Sequence, residues 1–205
     1  MQIISKDIKE TLAMDAAHLV GEARAVDLSK FDNSWYQPAG RTRRVMWYIC
    51  NVLFLKSSIP YPNSFKSGLL RLFGATIGRD VIIKPTVNVK FPWFLEIGDD
   101  VWVGEGVWID NLTTVKIGNN VCVSQRAYLL TGNHDYKKVA FDLMVEPVVI
   151  EDGVWIGAKV VVCPGSILRT HAVITAGSVI SKEAKAWTIY RGNLATPVRR
   201  RIIDA

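Results

Sequence analysis

The sequence is poor in cysteine and histidine and contains no long hydrophobic run. Three residues of each type occur in 205 positions. Cys50, Cys122 and Cys163 are far apart and lack metal-ligand spacing, so we expect buried free thiols in a reducing cytoplasm. The longest apolar stretch, residues 45–55, is interrupted by Asn51 and is too short to span a bilayer. These scarcities argue against a disulfide scaffold and a transmembrane helix.

Acidic residues are outnumbered by basic ones, 19 against 25, which gives a formal net charge of +6 and a pI near 9.3. The excess lies largely in residues 41–44 and 199–201. These clusters lack the aromatic interleaving of single-strand binders, so no nucleic-acid partner is predicted. The first ten residues lack the apolar core of a secretory signal, and export is not expected.

What the sequence does contain is a repeat of six residues. A period of six is incompatible with one continuous α-helix and is too regular for unrelated strands. A small or β-branched residue usually follows the aliphatic position four residues later, and glycine, which suits corners, often follows it directly. The aliphatic positions are Ile77, Ile83, Ile97, Val103, Ile109, Ile117, Val123, Leu129, Ile150, Ile156, Val162, Leu168, Ile174 and Ile180.

The repeat predicts an all-β solenoid, a parallel β-helix over residues 76–185. Three short strands would close a triangular coil of about eighteen residues, and about five to six coils would form a prism near 25 Å long. The register slips at residues 89–96, at residues 115–116 and at the long break of residues 131–149. Because loops on a rigid scaffold often carry function, the long break is the first candidate for a site.

The remaining segments flank this predicted β-helix. Residues 1–34 are expected to form a polar arm, and residues 35–75 a helical cap with two helices on either side of the breaker at residues 59–62. Residues 186–205 are expected to form a tail that folds back along the prism.

Several motifs together resemble the hexapeptide acyltransferase superfamily. They are the repeats themselves, the Gly-Asn-His-Asp loop at residues 132–135 and the Gly-Asn-x-Ala segment at residues 192–195. Within the superfamily the chain is similar to colanic acid biosynthesis acetyltransferases and to galactoside and maltose O-acetyltransferases, over roughly residues 35–199. The matching segments read LLRLFGATIG, FPWFLEIGDDVWVG, VCVSQRAYLLTGNHD and VVIEDGVWIGAKVVVCPGS.

The resemblance implies a left-handed coil, an exception to the usual right-handed crossover. It also implies a homotrimer with each active site between two neighbouring prisms. The implied reaction is transfer of an acetyl group from acetyl-CoA to a sugar hydroxyl of a glycan building block. Neither the handedness nor the trimer follows from the period itself.

By this resemblance His134 is the general base. An attacking hydroxyl must lose its proton, and imidazole, with an ordinary pKa near 6.5, can accept it at neutral pH. Asp135 would orient the imidazole or stabilise its charged form, although an Asp beside a His is equally often a loop-capping residue. Asn111 matches an asparagine that holds the acceptor sugar, with a strained corner residue as the alternative. His18 and His171 are expected to be structural.

A donor groove along the later coils is also implied by the resemblance. Relatives place coenzyme A beside positions matching an aromatic, small residues, backbone amides and a hydroxyl–lysine pair, while basic residues of the tail suit its phosphates. Solvated tail residues and an outward-facing aromatic are the alternatives. Residues 192–196 depart from the family pattern, since the usual lysine is Thr196. The implied residues are Trp155, Ala158, Ala176, Gly177, Ser181, Lys182, Arg191 and Arg199.

Other functions remain open at the sequence level. The acceptor could be the amine of an amino sugar or nucleotide sugar, or the β-helix could be a non-catalytic scaffold. A zinc site that hydrates carbon dioxide would need three histidines brought together, which the spacing disfavours, so no metal is expected. The basic and apolar residues 41–73 could rest on the cytoplasmic membrane face if the acceptor is lipid-linked.

Overall fold

The computed structural model describes residues 25–204 of the chain. His18 and most of the predicted arm lie outside this range. The described residues divide into two compact units. The smaller unit comprises residues 25–33 with 134–142, and the larger comprises residues 34–133 with 143–204.

The larger unit is a parallel β-helix of about six turns, which confirms the predicted fold. Its strands form three sheets, here called A, B and C. Sheet A contains Thr76–Ile77 (β1), Leu95–Ile97 (β4), Val115–Ile117 (β7), Val148–Ile150 (β12), Ile167–Leu168 (β15) and Glu183–Ala184 (β18). Sheet B contains Ile82–Ile83 (β2), Trp102–Val103 (β5), Cys122–Val123 (β8), Trp155–Ile156 (β13), Val173–Ile174 (β16), Thr188–Gly192 (β19) and Ala195–Arg200 (β20).

Sheet C and a small separate sheet complete the strand order. Sheet C contains Asn88–Val89 (β3), Trp108–Asp110 (β6), Tyr128–Leu130 (β9), Val161–Val162 (β14) and Val179–Ile180 (β17). Gly132–His134 (β10) and Leu143–Val145 (β11) form a two-stranded sheet at the base of the long loop. The coil strands are parallel, whereas β20 pairs antiparallel with β19.

The predicted aliphatic positions form the core of the prism, and all of them are buried. The small residues four positions later are buried as well, except Thr113, which is half-buried. Burying one such aliphatic side chain stabilises a fold by about 1.5–3 kcal/mol. Each six-residue repeat therefore contributes one inward-facing aliphatic residue, and that residue lies in one strand of a coil.

The first register slip is narrower than the sequence suggested. Val89 was expected to open the insertion, but its side chain is 1% exposed and continues the core in β3. Leu95 likewise belongs to β4 and is buried. The insertion therefore comprises only residues 90–94. The sequence did not reveal these bounds because the inserted residues are themselves apolar and resemble the ends of the flanking strands. Val115 and Lys116 extend β7, where they pair with Leu95 and Glu96.

Glycines at the edge between sheets A and B are explained by a ladder of polar side chains. Oδ1 of Asp99 accepts a hydrogen bond from the Arg79 amide at 2.7 Å, and Oδ1 of Asn119 accepts one from the Asp99 amide at 2.8 Å. Oδ1 of Asp152 accepts from the Asn119 amide at 2.7 Å. A Cβ at Gly118 would lie 2.3 Å from that Asp152 oxygen, so a side chain there would break the ladder.

The helical cap consists of Arg41–Cys50 (α1), the π-helical Asn51–Leu55 and Asn63–Leu72 (α2). Buried Trp47, Leu55 and Leu70 pack on the core. A first coil has strand edges without a neighbouring coil, and such edges need partners.

Cap side chains supply these partners on each of the three sheets. The Arg71 guanidinium donates to the Ile77 carbonyl at 3.0 Å, and the Lys66 ammonium donates to the Ile83 carbonyl. Trp47 Nε1 donates to the Val89 carbonyl at 2.9 Å. The cap therefore closes the hydrogen bonding of the first coil as well as its apolar core.

The tail forms the β19–β20 hairpin and then returns to earlier coils. The Arg201 guanidinium donates to the Gly153 carbonyl at 2.8 Å. Trp187 stacks on His171 with ring centroids 4.1 Å apart. The three cysteines are unpaired, as predicted, but they are half-buried and not fully buried. Cys122, for example, occupies an outward position on sheet B.

Candidate active site

The long loop leaves the prism at the edge between sheets C and A. It departs after β9 and returns at β12, and β10 and β11 form its base. The insertion of residues 90–94 and the segment 111–114 leave the same edge in earlier coils. Interruptions of the repeat before residue 150 are therefore concentrated along one edge of the larger unit.

His134 belongs to the smaller unit, where its imidazole is half-buried and held on two sides. Phe141 stacks on the ring with centroids 4.4 Å apart and planes 8° apart. His134 Nδ1 lies 2.8 Å from the Phe141 carbonyl oxygen, which can only accept a hydrogen bond. Nδ1 therefore carries the proton of the neutral ring, and Nε2 carries the lone pair that can accept another proton.

The arm contributes directly to the surroundings of His134, which the sequence did not reveal. The Phe31 ring lies 5.6 Å from the His134 ring, centroid to centroid. The Asp27 amide donates to the Val139 carbonyl at 2.9 Å, so the arm is also joined to the loop through the backbone. Phe31 precedes the region of family resemblance and has no periodic neighbours, so no sequence signal marked it.

Asp135 has the geometry of a loop-capping residue. Its Oδ1 accepts a hydrogen bond from the Lys137 amide at 3.1 Å, two residues ahead, and its own amide donates to the Asp142 carbonyl at 2.8 Å. This is the arrangement of an Asx turn. The orientation of the His134 ring is set at Nδ1 by the Phe141 carbonyl.

Asn111 lies in the larger unit, and its side chain is 0% exposed. Its Nδ2 donates to the Phe91 carbonyl at 2.6 Å, and its Oδ1 accepts from the Phe91 amide at 3.0 Å. It does not adopt the left-handed backbone of a strained corner either. Both ends of the amide thus fasten residues 90–94 to the next coil, and acceptor binding by Asn111 stays a prediction.

Several of the implied donor residues gather at the edge between sheets B and C. Trp155 is 48% exposed on sheet B, and its Nε1 donates to Ser124 Oγ at 3.0 Å. The Gly177 amide donates to the Ala158 carbonyl at 2.9 Å, so these two corners stack directly. Gly177 has a φ of +72°, and a Cβ there would meet open space. Ala176 is exposed beside it.

Ser181 and Lys182 do not join that group. They follow β17 and precede β18, which places them at the edge between sheets C and A. The Lys182 side chain is exposed, and Ser181 is half-buried. The structure therefore divides the implied donor residues between two edges of one prism.

Arg191 and Arg199 lie on the terminal hairpin, whose two strands end sheet B. Arg191 pairs with Thr196 across the hairpin, and Arg199 pairs with Ile189. Both arginines are exposed. The position where relatives carry a lysine is thus Thr196, opposite Arg191, so a cation remains at this level of the hairpin.

Two further properties of residues 25–204 bear on the open alternatives. Within this range no group of three or more His, Cys, Asp or Glu side chains is arranged to hold a metal ion. No described helix has the length and apolar character needed to cross a membrane.

Comparison with known proteins adds the family. A family model described as bacterial transferase hexapeptide (six repeats) matches residues 147–182. The chain is 35% identical over 157 residues to the "Putative colanic acid biosynthesis acetyltransferase WcaF" of Escherichia coli K12, which covers 77% of this chain and 86% of that protein. It is 30% identical over 122 residues to the galactoside O-acetyltransferase of the same organism, covering 58% of this chain and 60% of that protein.

A solved structure shares the fold. It is the hexapeptide-repeat-containing acetyltransferase VCA0836 from Vibrio cholerae, complexed with acetyl coenzyme A, with a TM-score of 0.71 and 23% identity. The match covers 79% of this chain and 88% of that chain.

The hexad coils and the long loop that interrupts them define a parallel β-helix of hexapeptide repeats. The extent of the similarity to WcaF goes further: the chain belongs to the hexapeptide-repeat acetyltransferases, as its sequence predicted. It is therefore an acyltransferase.

Proposed function

We propose that the protein transfers an acetyl group from acetyl-CoA to a sugar hydroxyl of a surface-polysaccharide building block, with His134 as general base. The observation that carries the proposal is the hydrogen bond between His134 Nδ1 and the Phe141 carbonyl at 2.8 Å. It supports a neutral imidazole whose Nε2 is the proton acceptor. The relatives named as colanic acid and galactoside acetyltransferases support the choice of a sugar acceptor.

The proposed reaction balances as a single acyl transfer. The acceptor oxygen attacks the thioester carbonyl while its proton passes to His134 Nε2, and a C–O bond forms. The C–S bond then breaks, and the proton on Nε2 passes to the leaving sulfur, which departs as the free thiol. A positioned base of this kind contributes about a hundredfold to ten-thousandfold to the rate.

The donor is a substrate in this scheme, and the edge between sheets B and C has features that suit it. The open corner at Gly177 and the exposed backbone at Ala176 can accommodate an extended, amide-bearing chain. The exposed guanidinium groups of Arg191 and Arg199 suit its phosphates. The unpaired thiols and this donor support our proposal that the reaction takes place in the cytoplasm.

The division of the donor residues between two edges supports a homotrimer. One donor can contact Ala158 and Gly177 on one edge and Lys182 on another only if it lies between two prisms. Exposed Trp102 and Trp155, at 60% and 48%, also leave an outward apolar surface on sheet B that a neighbouring subunit would cover. We propose a trimer with donor sites at the subunit boundaries.

The test is His134→Ala, assayed by thiol release from acetyl-CoA with a panel of sugars and sugar nucleotides. We expect the rate to fall by about a hundredfold or more. His171→Asn is the matched control, because asparagine tolerates the left-handed backbone at this corner, where φ is +57°. Near-normal turnover by His134→Ala in a folded trimer would refute the base assignment.

The same panel separates the other candidate functions. Turnover of an amino sugar without turnover of any hydroxyl acceptor would replace O-transfer by N-transfer. Absence of thiol release with every acceptor would favour a non-catalytic scaffold.

A further inference from the structure

We propose that a cavity between the helical cap and the first two coils binds the phosphate groups of a sugar-diphosphate acceptor. This inference rests on the proposed sugar acetylation and specifies the form in which the sugar arrives. The cavity is open to solvent and has a volume of about 600 Å³, a size suited to a small organic ligand. Its lining includes Arg41, Arg44, Lys56 and Lys90 together with the aromatic residues Tyr48 and Trp108.

The lining carries four cations and no carboxylate. The Lys90 ammonium is neutralised by Asp110, with Nζ 2.8 Å from Oδ1. Arg41, Arg44 and Lys56 make no ion pair with any carboxylate of the described residues. Three cations without a carboxylate partner therefore line one cavity, and an anion of two or more charges would complement them.

The geometry favours phosphate over a simple carboxylate. Guanidinium groups bind phosphate oxygens through paired, charge-assisted hydrogen bonds, and two arginines flank this cavity. A neutral sugar has no charged group that could pair with these cations. A sugar joined to a diphosphate would use them fully.

The aromatic residues of the lining suit the sugar itself. Trp108 is 42% exposed and stacks on Tyr128, with ring centroids 4.6 Å apart and planes 16° apart. Tyr128 thus supports one face of the Trp108 ring, and the apolar face of a sugar ring can stack on the other.

Coenzyme A also carries a diphosphate, but the implied donor residues lie elsewhere. The cavity is built on β3 and β6 in the first two coils, whereas Ala158 and Gly177 follow β13 and β16, in later coils. The diphosphate could come from a nucleotide sugar or from an isoprenoid-linked sugar. Exposed Val45 and Tyr48, at 51% and 66%, offer an apolar surface beside the cavity that suits an isoprenoid.

The first experiment measures binding of inorganic pyrophosphate to the full-length protein by calorimetry at low salt. We expect binding to weaken about fivefold in Arg44→Gln or Lys56→Gln, about twentyfold or more in the double variant, and markedly on adding salt. Lys116→Gln removes an exposed charge from sheet A and should leave binding unchanged. Unaltered pyrophosphate binding in the double variant would overturn the proposal.

Competition experiments then identify the ligand. UDP binding more tightly than pyrophosphate supports a nucleotide carrier, and geranyl diphosphate binding more tightly supports an isoprenoid carrier. Weaker binding of both would overturn the proposal, because neither carrier would then fit the cavity. Displacement of pyrophosphate by coenzyme A would also overturn it, by assigning the cavity to the donor.

Activity keeps this inference distinct from the proposed function. The KM for a sugar diphosphate should rise about twentyfold in the double variant, whereas Lys116→Gln should keep the wild-type KM for that acceptor and the wild-type rate with a neutral methyl glycoside. If the wild type acetylates no sugar at all, the proposed function fails while pyrophosphate binding can still be measured.

Discussion

The coils and the helical cap place their apolar residues in opposite ways. In the coils the inward side chains are buried almost completely, and Leu129 and Ile156 are 0% exposed. In the cap, Tyr48 is 66% exposed, Ile49 51% and Leu53 54%, although Trp47, which directly precedes Tyr48, is only 1% exposed. The coil residues therefore stabilise the fold, whereas one face of the cap contributes little to folding and is available for contacts.

Replacing one isoleucine in each region should separate these roles most clearly. Ile156→Ala leaves a cavity in a closed core and should lower the free energy of unfolding by about 3–4 kcal/mol. Ile49→Ala shortens a side chain that is already half in solvent and should change it by less than about 0.5 kcal/mol. Urea unfolding at one fixed protein concentration measures both. Equal losses would show that the cap face is packed in the assembled protein.

Asn111 extends the comparison to an insertion that leaves the coils. Asn111→Ala removes both hydrogen bonds to the Phe91 backbone and leaves buried polar groups unpaired, so it should cost about 2 kcal/mol. Asn119→Ala, at an exposed corner, should cost less, because water can replace its partners. If Asn111→Ala kept full stability but raised the KM for the acceptor sugar, the result would support the predicted role of Asn111 in acceptor binding.

The coils were predictable from sequence because each hexad carries its own inward aliphatic residue. The end of β3 at Val89 could not be predicted in this way, because the insertion that follows Val89 is also apolar. The role of Asn111 could not be read, because its partner Phe91 lies twenty residues away in an irregular segment. The arm next to His134 was equally hidden, since a contact between Phe31 and a loop a hundred positions later leaves no periodic trace.

A smaller effect is expected in the smaller unit, where Phe31 lies next to His134. Phe31→Ala removes the ring packed against His134 and should lower kcat about fivefold to tenfold, because the imidazole is less firmly positioned. KM for acetyl-CoA and the free energy of unfolding of the coils should not change. Phe31→Tyr should restore the rate.

Leu28→Ala is the matched control for this variant. Leu28 lies in the same arm segment, is 64% exposed, and should have no effect on kcat. If Leu28→Ala and Phe31→Ala lower kcat equally, the arm acts through general order and not through the Phe31 ring. If neither does, the loop positions His134 without the arm.

The smallest effect concerns the exposed face of the cap, for which we propose contact with the cytoplasmic membrane surface. Basic Arg41 and Arg44 accompany the exposed Ile49 and Leu53, the combination with which amphipathic helices bind anionic lipid. Ile49→Asp should weaken binding to phosphatidylglycerol vesicles about fivefold at low salt in a flotation assay. Leu194→Asp, at a 64% exposed position outside the cap, should not. If Ile49→Asp instead dissociates the oligomer and the wild type does not bind vesicles, the face is a subunit contact. Its apolar residues are then buried in the assembled protein and stabilise it, as those of the coils do.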